Sequence, residues 1–397
     1  MQPVYIIDTV RTAIGKYGGA LANTRPDDLL AQTIKTLIER NPTIDVNAIE
    51  DVIAGAANQA GEDNRNVARM AALLAGLPTT VAGNTVNRLC ASGLQAIMDS
   101  ARTIACGDAE IMIACGVESM SRAPFVMPKS MSAFDRNAQI FDTTMGWRFI
   151  NKNLSDLHHP YTMGETAENV AIQFNVSREA QDIFAANSQA KYDAALKANK
   201  FIEEIIGIKI IQGKEEIIFN TDEHPRLSPL DKLATLNPAF TKDGTVTAGN
   251  SSGINDGAAA ILLASEAAVK KYNLKPIAKI VSMAVAGVDP AVMGIGPVPA
   301  TKKALQRAGL KIENIDLIEL NEAFASQSIA CINELQLQAE KVNVNGGAIA
   351  LGHPLGCSGV RISTTLIHEM QKRKSKYGLA TMCVGVGQGA AIIYEGL

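Results

Sequence analysis

Short apolar runs of strand length alternate with helical stretches along this chain, and the alternation occurs twice. Residues 4–8, 51–55, 81–86 and 110–115 are runs too short for helices and predict strands. Residues 27–40, 64–75 and 91–106 keep helical spacing. The order returns late in the chain, where strand-like runs at 277–285, 315–320, 342–345, 379–384 and 390–394 flank helices near 299–309, 322–335 and 359–373. Strand–helix alternation predicts an α/β fold whose sheet is mostly parallel and covered on both faces. With 397 residues, 47% of them hydrophobic, the chain can bury more than one core.

The two ends read as a diverged internal repeat. Thr85 to Gly93 leads into a helix, and so does the stretch from Val342 through Gly359. Each is followed by a strand containing a cysteine, Cys115 in one case and Cys383 in the other. Two such halves face to face would bring both strand-to-helix corners to one cleft, where ligands of open α/β sheets bind. Residues 121–247 break the rhythm, and 128–162 is polar with scattered aromatics (Phe134, Phe141, Trp147, Phe149, Tyr161). A lid or substrate-binding excursion is expected there. A helical pair near 164–174 and 178–199 follows, with Ser177 placed to cap the second.

Composition excludes several classes. The formal net charge is −3 with dispersed Lys and Arg, which predicts no nucleic-acid or membrane-surface partner. No apolar run approaches the roughly 20 residues of a membrane span. The first residues read as a strand rather than a signal peptide, and Glu395–Gly396–Leu397 is no peroxisomal address, so a cytoplasmic protein is expected. None of the six cysteines sits in a CxxC pair, so no metal site is expected. Cys106, Cys115 and Cys331 read as small buried hydrophobes.

Four places carry chemistry. Cys90 lies where a strand gives way to a helix, and a thiol at a helix N-terminus is expected to have a lowered pKa; a buried structural cysteine is the alternative. Gly346 to Gly359 holds five glycines in 14 residues around His353, an imidazole able to take a proton from a thiol and then bind an oxyanion. Cys357 in that stretch reads as a spectator. Cys383 runs straight into Gly385, Gly387 and Gly389, where a side chain and backbone N–H groups can emerge at a cleft. Asn321 ends a strand and is either the N-cap of the next helix or the group that orients a water or carbonyl.

Asn87–Gly93, Asn321–Ala325, Gly346–Gly359 and Cys383–Ala391, with Thr247–Ala259, resemble in order the signature blocks of the thiolase family. The resemblance implies two αβαβα halves in a five-layer core with an inserted loop domain. Its segments are an N-terminal half over 1–120 completed by about 248–270, a loop domain over 121–247 and a C-terminal half over 271–397. It implies acyl transfer to Cys90, activated by His353, with Cys383 as the second acid/base that moves the α-proton of acetyl-CoA. Oxyanions would be met by His353, a water held by Asn321, and the backbone N–H groups of Cys90 and Gly385. For coenzyme A it implicates Arg226, Ala248 and Ser252, and for the pantetheine and acyl wall Met163, Phe240, Met293 and Phe324. Coenzyme A is a substrate in this reading and no cofactor is implied. Homotetramers built from tight dimers are also implied, with 128–162 as the contact between dimers. Phe141–Asn151 and Thr221–Arg226 resemble the 3-oxoadipyl-CoA thiolases of aromatic-compound breakdown, whereas Met163–Asn169 partly resembles acetoacetyl-CoA thiolases, which condense two acetyl-CoA. Rival readings are a 3-oxoacyl synthase, which needs a second C-terminal histidine in place of Cys383, and a non-catalytic CoA- or lipid-binding protein, which needs no second thiol.

Overall fold

The computed structural model describes residues 2–397. Nine strands form one path of hydrogen-bonded neighbours: β1 Val4–Thr12, β2 Ile49–Gly55, β3 Ala82–Val86, β4 Ile111–Ser119, β5 Asn255–Ser265, β6 Ala278–Gly287, β7 Leu317–Leu320, β8 Tyr377–Val384 and β9 Gln388–Gly396. Their order across the sheet is β7-β8-β9-β6-β1-β5-β4-β2-β3. The two half-sheets are joined by the short pairing of β1 with β6, Tyr5 with Lys279 and Ile6 with Ala278.

The sheet is mixed, which corrects the expectation of a mostly parallel one. Only β7–β8, β2–β4 and β2–β3 are parallel; the other five neighbour pairs on the path are antiparallel. In each half the later strands break the βαβ rule: β5 enters from the long excursion, and β8 turns directly into β9 through Gly385, Val386 and Gly387. Residues 342–345 are not a strand, contrary to expectation, and keep only one bridge, Val342 with Ile318. Asn343 takes a left-handed φ of 45° there. Its amide side chain replaces the ladder, accepting from Leu320 N at 2.9 Å and donating to Leu320 O at 2.8 Å.

Among the described residues, eight helices of eight or more residues pack on this frame: α1 Pro26–Glu39, α2 Val67–Leu74, α3 Ser92–Cys106, α4 Met163–Gln173, α5 Arg178–Lys197, α6 Pro297–Ala308, α7 Ala325–Glu334 and α8 Leu355–Arg373. One apolar core lies between α1, α2 and the outer face of the N-terminal strands. A second fills the space between the two half-sheets, around α3 and α8. A third lies under α6 on the far side of the C-terminal strands. The layers therefore run helix, sheet, helix, sheet, helix. Alpha-8 is buried from Gly356 to Met370, as a helix with sheet on both sides must be. Alpha-3 and α8 touch backbone to backbone: a Cβ on Gly359 would lie 2.1 Å from Leu94 N, and one on Gly93 2.8 Å from Gly356 O. Any larger residue would push the two helix starts, and the residues just before them, apart. Ser177 caps α5 as expected, accepting from Ala180 N at 3.2 Å.

Candidate active site

Cys90 occupies the turn between β3 and α3, two residues before the helix. Leu89 is held at φ 46°, a conformation that costs energy for a branched side chain. The turn is locked by Asn87, whose Oδ1 accepts from Leu89 N at 2.8 Å, and by Ser92, whose hydroxyl donates to Leu89 O at 2.6 Å. The thiol is thereby presented to the β8–β9 turn, where Gly385 N–H donates to its sulfur. A Cβ at Gly385 would sit 3.2 Å from Leu89 Cδ1 and 3.5 Å from Met163 Sδ, so the backbone itself faces the site. Burial pushes the Cys90 thiol up to about 11, outweighing the N–H groups of Gly385 and of Cys90 itself. This corrects the expectation of a lowered pKa: the thiol rests protonated and needs a base.

His353 stands two residues before α8, the counterpart of Cys90's place before α3. Its backbone N–H donates to Asn255 Oδ1 at 3.0 Å. Its Nδ1 is 2.6 Å from Ser358 Oγ, which also lies 2.8 Å from Pro354 O. The single hydroxyl proton thus has two acceptors. Given to Pro354 O, it leaves Nδ1–H donating to Ser358 and Nε2 free as a base. Given to Nδ1, it leaves Nε2–H as a donor. Burial first, and then the charge of Arg361, push His353 down to about 3, so the imidazole is neutral at working pH.

Asn321 is not an N-cap, which corrects that alternative. Alpha-7 starts at Ala325 after an uncapped Phe324, because 321–325 runs on as pairing segment: Asn321 N–H donates to Thr381 O, and Ala325 N–H to Asn250 O. The Asn321 amide is left free for the site. Its Nδ2 lies 3.4 Å from His353 Nε2, and its buried Oδ1 has no partner in the protein. Such an acceptor costs about 1–3 kcal/mol unless water or substrate meets it.

Cys383 closes the group from β8. Its thiol is 1% exposed. Burial, and then the neighbouring Cys90, hold it well above the usual thiol range. Around it cluster Met163, Ala167, Val246, Met293, Ala323 and Phe324. Phe240 meets Phe324 edge to face at 6.1 Å and lies against Gly164. Of the four residues expected as an apolar wall, Met163, Met293 and Phe324 thus pack with the second thiol, and Phe240 joins them through Phe324. Cys357 is fully buried in the central core, while Cys106, expected to be buried, ends α3 exposed.

Arg226 and Ala248 line one surface cavity, joined by Arg226 Nη2 donating to Ala248 O at 3.2 Å. Ser252 does not line that cavity; its N–H donates to Ala323 O at 3.0 Å and ties this loop to the Asn321 segment. Sequence reasoning missed Gln189, Ser228 and Lys232, which share the cavity. It also missed Glu322, whose buried carboxylate accepts from Ser188 Oγ at 2.7 Å, Asn343 Nδ2 at 2.7 Å and Ile349 N at 3.1 Å. The neighbouring Asn321 was the only signal for it, since its partners come from three distant segments. Helix α5 holds both regions: Arg178 donates to Leu233 O and Leu236 O, Asp182 accepts from Asn250, Ser188 binds Glu322, and Gln189 accepts from Arg226 N. Among the described residues no cluster of three His, Cys, Asp or Glu could hold a metal ion, and no helix is long and apolar enough to cross a membrane.

The family model for the thiolase N-terminal domain matches residues 4–267, and that for the thiolase C-terminal domain matches 274–396. A beta-ketoadipyl-CoA thiolase of Pseudomonas aeruginosa is 55% identical over 397 residues, 99% of each chain. A 3-oxoadipyl-CoA/3-oxo-5,6-dehydrosuberyl-CoA thiolase of Escherichia coli is 52% identical and is matched over 100% of both chains. Among solved structures, the Bacillus anthracis acetyl-CoA acetyltransferase aligns with a TM-score of 0.94 at 43% identity, covering 100% of this chain and 99% of that one.

Proposed function

The chain belongs to the thiolase family, and we propose that it cleaves 3-oxoadipyl-CoA with coenzyme A to acetyl-CoA and succinyl-CoA. Support comes from full-length relatives at 52–55% identity that carry this activity in their names. The observations that carry the chemistry are the apposition of the Cys90 and Cys383 thiols beside the Gly385 N–H and a neutral imidazole, His353, whose Nε2 lies 3.4 Å from the free Asn321 amide.

The roles we assign follow from the protonation states. Cys90 attacks the C3 carbonyl and its proton passes to His353 Nε2, which burial keeps unprotonated beforehand. The C2–C3 bond then breaks and the electron pair stays on C2. Cys383, a thiol rather than a thiolate at rest, gives its proton to that carbon, and acetyl-CoA leaves. Coenzyme A attacks the acyl-Cys90, its proton going to the Cys383 thiolate, and Cys90 leaves with the proton held on His353 Nε2, which restores the resting state. The oxyanion on the acyl carbon is met by the backbone N–H groups of Cys90 and Gly385. The enolate oxygen is met by His353 Nε2–H and a water on Asn321. Removing one such donor typically costs about 3 kcal/mol. Coenzyme A is a substrate here and no cofactor is assigned. We place its nucleotide end at Arg226 and Ala248, its pantetheine along Ser252, and the acyl group along Met163, Phe240, Met293 and Phe324.

The adipyl tail ends in a carboxylate, which is costly to bury without a cation. In the 128–162 excursion Arg148 is half-buried and Arg136 fully exposed. Arg148→Ala should cut turnover of 3-oxoadipyl-CoA by about 10- to 150-fold, the range of a lost charged hydrogen bond, with Arg136→Ala as the parallel test. Rates on acetoacetyl-CoA should barely change. Equal losses on both substrates would mean that the arginine positions the lid. A wild-type enzyme that prefers acetoacetyl-CoA would favour the acetyl-CoA acetyltransferase reading.

We also propose a cytoplasmic homotetramer. The excursion leaves Met131 96% and Phe134 99% exposed, and Ile140 and Leu157 within it and Phe125 just before it are exposed as well. An apolar patch of that kind marks a protein contact. Light scattering at micromolar concentration should give four chains; a stable monomer would refute this.

A further inference from the structure

We propose that Glu118 is a positioning residue for the catalytic pair: its buried carboxylate ties the start of the helix behind His353 to the loop that braces Cys90. Glu118 is the penultimate residue of β4 and is 3% exposed. One oxygen accepts from Gly356 N at 2.7 Å and from Ala57 N at 2.9 Å; the other accepts from Asn58 N at 3.1 Å. Among the described residues no Lys or Arg pairs with it.

Each donor leads into the site. Gly356 lies in the first turn of α8, between His353 and its partner Ser358. Ala57 O accepts from Asn87 Nδ2 at 2.9 Å, and Asn87 Oδ1 holds the backbone of Leu89, next to Cys90. Asn58 Nδ2 reaches Thr143 Oγ1 at 2.9 Å and so ties in the excursion. A single carboxylate thus joins the nucleophile turn, the base helix and the excursion.

Three N–H donors and a helix start suit an anion. Burial acts the other way and pushes Glu118 up to about 7. The titratable groups that face it are Asp63 on the loop after Asn58, Cys90 on the nucleophile turn and Cys357 on α8. Ionised, Glu118 accepts all three N–H groups. Protonated, it carries an O–H among donors and the clamp loosens. The same charge also raises the pKa of Cys90. Loss of that charge should therefore make Cys90 easier to ionise while making catalysis worse, two effects of opposite sign that a space-filling residue would not produce.

The proposal rests on Cys90 as nucleophile, and its test is separable from that reading. Alkylation of Cys90 by iodoacetamide is followed by peptide mapping from about pH 5.5 to 9, with acetoacetyl-CoA cleavage measured alongside. In the wild type the rate should rise by less than tenfold per pH unit through about pH 7, where Glu118 changes charge, and by tenfold on either side. His353, pushed down to about 3, adds no inflection in this window. Asp63, pushed up to about 6, is removed as a source by Asp63→Asn, which should keep the flattening. Glu118→Gln should abolish it, raise Cys90 alkylation at pH 8 about threefold or more, and lower kcat by about 10²-fold with KM nearly unchanged. A wild-type curve of uniform tenfold slope overturns the proposal, even if Glu118→Gln does not fold. So does a folded Glu118→Gln with unchanged alkylation, whatever its kcat. Acetyl-CoA labelling a residue other than Cys90 would instead overturn the nucleophile reading, and the alkylation curve would still report the charge on Glu118.

Discussion

Incubation with acetyl-CoA should place an acetyl group on Cys90, and Cys90→Ala should abolish both the label and turnover. The expected loss in kcat is on the order of 10⁴- to 10⁶-fold, the scale seen when a nucleophile that works with its base is removed. The basis is positional. Cys90 is the half-buried thiol on the strained turn at Leu89, with Gly385 N–H on its sulfur. Cys357 is no rival, because it lies fully buried in the central core with its thiol pushed up to about 12. Mass mapping that finds the acetyl group on Cys357 or Cys383 would sink the assignment.

Cys383→Ser should split the reaction in two. Acetyl transfer to Cys90 needs no α-proton moved, so labelling should persist, slowed only by the loss of Cys383 as the acid that returns a proton to the leaving coenzyme A. Carbon–carbon cleavage should fall on the order of 10²-fold or more, the usual scale for general acid–base catalysis. The serine hydroxyl keeps the shape of the site among Met293, Ala323 and Phe324 but is a far weaker acid. Stopped-flow acylation and steady-state cleavage of 3-oxoadipyl-CoA on the same preparation would separate the steps. Cleavage at the wild-type rate would remove Cys383 from the mechanism.

Most of the elements were readable along the chain, and the residues proposed for the site stood out there, because both follow from local rules. Apolar runs at 4–8 and 110–115 became strands Val4–Thr12 and Ile111–Ser119, and the helix expected at 91–106 runs from Ser92 to Cys106. Cysteines and a histidine framed by glycine stood out in the same way, since small residues at a corner mark close approach of backbone.

Features that depend on partners distant in sequence could not be read from the chain. Strand direction was one: β1 pairs with β5 across some 250 residues, and nothing in either segment sets the sense of that pairing. Asn321 was another. Its helix-start composition suggested a cap, but pairing with Thr381 and Asn250 carries the backbone past it and aims its amide at His353. The pKa of Cys90 was a third: the N–H groups of Gly385 and of Cys90 itself lower it, and burial, which the fold alone sets, raises it by more. Ser358, Glu322 and Glu118 were invisible as positioning groups, because a buried carboxylate or hydroxyl gains its role only from the donors that folding brings to it. Local periodicity and residue chemistry thus specified most of the elements and singled out the residues proposed to react. Tertiary contact specified their directions, protonation states and supports, since hydrogen bonding and desolvation are set by whatever the fold places within a few ångströms.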